Sequence, residues 1–497
     1  MTPLISKIYT GKYKNEKGKE VDISKGSFAF DLYSEYWNKT HVIMKSTQCG
    51  ISLRNQLSII ESSLKANGSL SNFTVLPTES IKNRYVDRFN MVMQNCALKE
   101  LTGDVDNKSN KNIDGTLNTF VHSFADNQFY EFPADRIVYE EIDVCDQDNL
   151  KKAKGRLGYS LYGIEIKVSN PTILNFGIHS EYLNSDQREW HIKCEACSHW
   201  INPDFFKHVV KDGYVMDKEF EQGMNEPKCY CDKCGRVFNP RSAGEWIQKE
   251  PKKLLAGFHI NKMFSGRTNL SELVLNWREG LTNESKMQNF YNSDLGLPFT
   301  SSGQKITKDL IDSCVHSDYI LAKSNKEPAV IGVDVGKVFH CVIMSPDFKI
   351  LFIGHIQDTE ELMRTVQEYN VRVGVIDAMP EIRTVSQIQS RHVGFFKCSY
   401  IQMKEPIRVN GKTREISVDR TAHLDAVKEN FVKGKYILPA NAASLDNGDF
   451  YSHLQSSTRI LQEDKAKWVE TSADHYFHAL AYCTLANQLW VYINKLK

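Results

Sequence analysis

The period of the apolar positions changes several times along this chain, and each change marks an element. Residues 41–45, HVIMK, form a short continuous apolar run closed by a lysine, the pattern of a buried strand. The loop STQCG follows, and Leu53, Leu57, Ile60 and Leu64 then recur at helical spacing until Asn67-Gly68 stops the run. The order predicted is strand, loop, helix. Residues 136–143, RIVYEEID, carry three apolar residues into two adjacent acids. Residues 163–172, GIEIKVSNPT, alternate as a strand and break at Ser169-Asn170-Pro171-Thr172. A second set of strands begins at Ala329 with AVIGVDVGK. It continues as HCVIMSPDFKILFIGHI, a hairpin turning at Pro346-Asp347, and as VRVGVIDAMP at 371–380. Residues 473–483, ADHYFHALAYC, read as a helix opening at Asp474, with Phe477, Leu480 and Ala481 on its apolar face.

A chain of 497 residues is too long for one ordinary core, so two or more domains are expected. With 41% apolar and 25% charged residues the composition is that of a soluble globular protein. The net charge of +1 supplies no global basic field, so a DNA partner has to be held by local patches. No apolar run is long enough to span a membrane, and the N-terminus has no signal-peptide core. A cytosolic protein is expected, in which the 12 cysteines are not a disulfide framework. Four of them form two knuckles, CEAC at 194–197 and CDKC at 231–234. Each C-x₂-C turn presents two thiolates, and two such turns satisfy tetrahedral Zn²⁺. Cys194, Cys197, Cys231 and Cys234 are therefore the expected zinc ligands, in a structural site with no open position; Cys229 is a competing ligand.

The stretch KSTQCGIS lies where a phosphate loop would. The usual G-x-x-x-x-G-K-[ST] has lysine after the last glycine, whereas here Ile51 stands there and Lys45 opens the loop. A helix N-terminus offers free N–H groups to phosphate, Gly50 permits close approach, Ser52 is placed to reach Mg²⁺, and Lys45 can fold back onto the phosphates. A plain strand–turn–helix also contains a glycine and a serine. Glu140 is expected to hold Mg²⁺ through water and Glu141 to polarise the attacking water; two solvated acids at a strand edge is the alternative. Ser169, Asn170 and Thr172, at the C-terminal end of a strand, are positioned to sense the terminal phosphate. Asp334 and Asp377 end buried strands and Asp474 opens a helix, a carboxylate trio suited to two hard cations around a phosphodiester. His475 and His478 are candidates to assist there.

Taken in order, KSTQCGIS, IVYEEID and VSNPT resemble the ATPase of phage terminase large subunits, above all the lambda-type branch in which the loop lysine is moved to the front. SFAFDLYSEYWN (27–38), SDQREWHIKCEAC (185–197), QNFYNSDLGLPF (288–299) and 418–439 are similar to further segments of that family. The resemblance implies an α/β protein with a P-loop-type ATPase domain at 1–184, a four-cysteine zinc module at 185–245, a connector at 246–325 and an RNase H-like nuclease domain at 326–497. It implies an ATPase and two-metal-ion endonuclease that drives double-stranded DNA into a procapsid. Lys45, Ser46, Gln48, Gly50, Ser52 and Glu140 would bind ATP, Glu141, Asp334, Asp377 and Asp474 would be catalytic, and Ser169, Asn170 and Thr172 would couple hydrolysis to motion. Arg156 stands where the family carries an arginine that can act as a finger. The cofactors implied are ATP, Mg²⁺ or Mn²⁺, and Zn²⁺. The partners implied are a portal protein, on which the subunits form a ring, and a small terminase subunit, all in the host cell cytoplasm. A zinc-containing transposase or resolvase, and a packaging scaffold with a decayed ATPase site, are the other readings.

Overall fold

The computed structural model describes residues 3–495 except 22, 67, 131–132, 222, 224–225, 266–268, 402, 404, 406 and 463–464. Asn67, half of the expected helix stop, lies outside the described residues; the helix Ile51–Ala66 ends before it, and Gly68 follows in the left-handed region with φ 83°. The chain folds as two units, Met1–Phe299 and Thr300–Lys497.

In the first unit the continuous apolar runs become strands covered on both faces, as parallel sheets require. Every residue of His41–Lys45, Asn72–Leu76 and Arg136–Glu140 is buried. The sheet runs in the order Gly244–Gln248, Arg188–Lys193, Ala256–Ile260, His41–Lys45, Ile164–Ser169, Arg136–Glu140, Asn72–Leu76, Thr116–His122, Asn110–Ile113, Thr102–Asp106. From Ala256–Ile260 to Thr116–His122 all neighbours are parallel. Alternation sorts the side chains. Ile43, Val138 and Ile166 face the helix Ile51–Ala66 through Leu57 and Ile60, whereas Val42, Met44, Ile137 and Tyr139 face Ile178 and Tyr182 of Gly177–Leu183.

This sheet also takes in chain expected to lie elsewhere. Arg188–Lys193 and Gly244–Gln248, on either side of the cysteine knuckles, pair antiparallel and extend it. Ala256–Ile260 lies beside the lysine strand in register, His41 opposite Ala256 and Lys45 opposite Ile260. The expected connector, 246–325, is divided between the units: 246–299 belongs to the first and 300–325 to the second. Its apolar run fills a sheet position that the lysine strand would otherwise leave open.

The second unit is built on a seven-stranded sheet, Ile350–Ile356, Phe339–Met344, Ala329–Val335, Val371–Asp377, Phe395–Tyr400, Glu415–Val418, Ile407–Asn410. The first three strands are antiparallel neighbours; Ala329–Val335, Val371–Asp377, Phe395–Tyr400 and Glu415–Val418 then run parallel, the RNase H-like arrangement expected. The helix His475–Lys495 lies on the sheet at very close range. A Cβ on Gly332 would fall 2.0 Å from the Ala479 carbonyl oxygen and 2.1 Å from the Cys483 nitrogen, so only glycine fits there.

Candidate functional sites

Three parallel strands bring the first site together at their C-terminal ends. Because Ile164–Ser169 lies between His41–Lys45 and Arg136–Glu140, Lys45, Asn170 and the Glu140–Glu141 pair converge on one edge of the sheet. Lys45 Nζ donates to Glu141 Oε1 at 2.7 Å and to Asn170 Oδ1 at 2.7 Å, with only 7% of the lysine side chain exposed. Burial alone would drive the lysine pKa down, but the Glu141 charge and hydrogen bond more than offset it and hold it above its ordinary value. Glu141 adopts a left-handed backbone, φ 54° and ψ 55°, which a non-glycine residue occupies at some cost and which turns its carboxylate back across the strand ends. Its Oε2 accepts from Ser169 Oγ at 3.3 Å and the Asn170 N–H at 3.1 Å. Glu140 is buried, with Ser52 Oγ at 3.2 Å on one oxygen and Asn55 Nδ2 at 2.8 Å on the other. Burial raises its pKa, with Asn55 and Ser52 pulling the other way and Glu141 adding to the rise.

The loop itself is held from outside. Ser46 N–H donates to the Ile260 carbonyl at 2.7 Å, and the N–H and hydroxyl of Thr47 reach the Ser293 carbonyl at 2.9 and 3.0 Å. Gly296 has φ 62°, and a Cβ there would meet the Ser46 nitrogen and the Ile260 carbonyl oxygen at 2.7 Å. Gln48 and Gly50 take positive φ, 59° and 84°, which folds the loop over the start of the helix. Ser46 Oγ is buried with no hydrogen-bond partner among the described residues, a polar atom left for a ligand. The donors fit a triphosphate: a buried ammonium, an orphaned hydroxyl and a helix N-terminus.

The sequence did not single out Asn55 or Asp143, and it marked the stretch around Ser293 only as resembling a family segment, not as a support of the loop. Asn55 sits three residues after Ser52, on the same helix face, and that spacing was the available signal. Asp143 receives the Thr172 N–H and hydroxyl, both at 2.7 Å, and the Ile178 N–H at 2.7 Å. Burial lifts its pKa to about 7 against those hydrogen bonds. Thr172 is therefore engaged with Asp143 rather than Lys45. Arg156 lies at the other end of the sheet: its carbonyl accepts from Ala134 N–H, before the start of Arg136–Glu140, and its guanidinium donates to the Tyr130 carbonyl at 2.8 Å. The structure does not bring it to the lysine.

The four knuckle cysteines meet as expected. Cys194 and Cys234 sulfurs are 3.9 Å apart, as are Cys197 and Cys231, and all four lie within 4.8 Å of one another. Four sulfurs about 2.3 Å from one Zn²⁺ in a tetrahedron would be about 3.8 Å apart. Cys229 is outside this group, buried in the short strand that pairs it with Phe238.

In the second unit Asp334 and Asp377 end neighbouring parallel strands, Val333 lying opposite Ile376. The Asp377 pKa is raised, chiefly by burial and further by the Asp334 charge, with the Met379 N–H opposing. Asp474 is directed elsewhere. Its Oδ2 accepts from Ser457 Oγ at 2.9 Å, with His478 Nε2 at 3.3 Å and Arg420 Nη2 at 3.8 Å. Arg420, whose side chain is partly exposed, also donates to the Trp468 carbonyl at 2.6 Å. The group whose ligand atoms lie within 4.8 Å is Asp334, His340 and His475. His340 was not anticipated; it belongs to a strand that reads from sequence only as part of a hairpin.

Residues 29–249 match the family model of the phage terminase large subunit gpA ATPase domain, and residues 255–336 that of the terminase large subunit gpA endonuclease domain. No curated protein matches the chain. Among solved structures, the large terminase of bacteriophage HK97 resembles it with a TM-score of 0.54 at 9% identity, over 98% of this chain and 100% of that one. The large terminase of a thermophilic bacteriophage is also similar, with a TM-score of 0.36 at 12% identity, over 95% of this chain and 100% of that one.

Proposed function

This chain belongs to the phage terminase large subunits, carrying their ATPase and endonuclease domains, and from that premise we propose how its residues run the packaging motor and the nuclease. It is an ATPase and a DNA-cleaving nuclease that serves viral genome packaging. The recombinase reading lapses with the family.

The observation that carries the motor reading is the meeting of Lys45, Glu141 and Asn170 at 2.7 Å. Glu141 is the lysine's counter-ion in this structure. The terminal phosphates of ATP offer the ammonium a stronger partner, so Lys45 swings its contact from Glu141 to them. That frees Glu141 Oε1 to accept a proton from the attacking water, while Ser169 and the Asn170 backbone retain Oε2 and fix the carboxylate's direction. Asn170 contacts both Lys45 and, through Nδ2 at 3.4 Å, the Asn292 carbonyl. It therefore links loss of the phosphate to the segment that supports the loop. Mg²⁺, held near Ser52 and Glu140, would supply charge to the β- and γ-phosphate oxygens.

For the nuclease, Asp334 and Asp377 hold the divalent cations, which would supply the charge that both sides of the scissile phosphodiester require. Zn²⁺ on the four cysteines ties together the two strands that extend the motor sheet, a structural role. The DNA is double-stranded and held by its backbone, since translocation has to ignore sequence. A portal protein, on which the subunits assemble as a ring, and a small terminase subunit that chooses the cut site complete the machine in the host cytoplasm. Among the described residues no helix is long and apolar enough to cross a membrane. The test is Mg²⁺-dependent ATP hydrolysis by the purified chain: the proposal expects turnover in the wild type and its loss in Lys45→Ala, and a wild type no faster than that variant would leave only a scaffold.

A further inference from the structure

We propose that the nuclease centre is a mixed nitrogen–oxygen site, in which His340 and His475 join Asp334 as direct ligands of a first-row transition-metal dication. This deepens the nuclease reading above and rests on it.

The site is built by register. Asp334 and His340 are directly opposed on antiparallel strands, so their side chains stand on one face of the sheet. His475, the first residue of the long helix, comes down onto that face. Its ring stacks on His340 with centroids 4.5 Å apart and planes 13° from parallel. Its Nδ1 lies 2.9 Å from Asp334 Oδ2. A nitrogen and an oxygen each about 2.1 Å from one ion, at right angles, are about 3.0 Å apart. The observed separation is thus that of two neighbouring ligands as well as that of a hydrogen bond. The second imidazole adds a further donor: a ring nitrogen of His340 falls within the same 4.8 Å group, and its Nδ1 is buried with no hydrogen-bond partner among the described residues.

Ligand chemistry then decides which ion. Mg²⁺ takes oxygen donors and keeps much of its water, whereas imidazole favours the transition-metal dications. Two imidazoles and one carboxylate leave open positions for a phosphate oxygen and water. Asp377, at the end of the neighbouring strand, supplies the carboxylate for a second ion that needs no nitrogen. Asp474, occupied by Ser457, His478 and Arg420, then positions the start of the helix that carries His475.

The test uses the full chain with its cysteine site filled by zinc, which Mn²⁺ does not displace from thiolates. Mn²⁺ is titrated in, and its paramagnetic spectrum is read for nitrogen couplings. Imidazole ¹⁴N couplings in the wild type are expected, with Mn²⁺ affinity at least tenfold weaker in His340→Gln and His475→Gln and Mg²⁺ affinity unmoved. The wild-type spectrum does not depend on whether either variant folds. Nitrogen-free coordination, or wild-type Mn²⁺ affinity in both folded histidine variants, overturns the inference. Asp334→Asn separates the two claims: wild-type cleavage by that variant removes the nuclease reading itself, whereas loss of cleavage together with nitrogen-free Mn²⁺ removes only the histidine ligands.

Discussion

Replacing Glu141 by glutamine is expected to tighten ATP binding while stopping turnover. Lys45 pairs with Glu141 at 2.7 Å, and that pair has to open before the phosphates can take the ammonium. Breaking a fully buried pair costs several kcal/mol, and a fully exposed one less than about 1 kcal/mol. Here the lysine side chain is 7% exposed and the glutamate side chain 33%, so solvent screens one partner and a cost of about 1 kcal/mol is reasonable. Glutamine can still accept from Lys45 Nζ but carries no charge, so most of that cost disappears. At about 1.4 kcal/mol per tenfold, Kd for ATP should fall by about fivefold. Turnover should fall by about 10²–10⁴, the usual contribution of a positioned base. Lys45→Ala should separate from it, weakening binding and slowing turnover by about 10²–10³, as loss of one charge-stabilising donor does. Equilibrium titration with a fluorescent ATP analogue in Mg²⁺ gives the first quantity and phosphate release the second. Weaker binding by Glu141→Gln, or turnover within threefold of wild type, would refute the latch between Lys45 and Glu141.

Three other outcomes follow from the geometry. Asp334→Asn and Asp377→Asn should each abolish cleavage of supercoiled plasmid in Mn²⁺ while leaving ATP hydrolysis in place; retained cutting by both would show the acids to be misassigned. Elemental analysis should find one zinc per chain, falling to none in Cys197→Ser, and stripping the metal should lower the unfolding midpoint of the motor; less than half an atom per chain in wild type would count against the cysteine site. The buried His423 is pushed down to about 4 by burial first and by His478 second, against an ordinary value of 6.5, the Ala481 backbone opposing. Its contribution to stability is complete above pH 6.5 and is lost as pH falls towards 4, because only the unfolded chain takes up the proton there. The loss is about 3 kcal/mol at about 1.36 kcal/mol per unit. Denaturant unfolding from pH 7 to 4 should show wild type losing about that much more than His423→Gln, and parallel pH profiles would contradict it.

Local order made much of the motor legible. Lys45, the acids at 140 and 141 and the break at Ser169-Asn170 each end an apolar run, and the C-terminal ends of parallel strands are where α/β sheets bind ligands. The RNase H-like sheet was legible for the same reason, since Asp334 and Asp377 close two continuous apolar strands. What stayed hidden depends on pairing across long stretches of chain. Arg188–Lys193 alternates like any exposed strand, and nothing local says that it joins the motor sheet beside Ala256–Ile260. Ser293 and Gly296 prop the phosphate loop from a segment whose sequence reads as a linker. Asp143 looks like one more acid after Glu140 and Glu141 until Thr172 and Ile178 are seen to donate to it. His340 alternates within a hairpin strand, and only the register that sets it opposite Asp334 gives it a chemical neighbour.

A structure of the chain with Mg²⁺ and a non-hydrolysable ATP analogue shows directly where the Lys45 ammonium goes when nucleotide arrives. The prediction is Lys45 Nζ within hydrogen-bond distance of a β- or γ-phosphate oxygen, with Glu141 released from the lysine and turned towards the attacking position. Lys45 still paired to Glu141, and no other cation at the terminal phosphate, would contradict it.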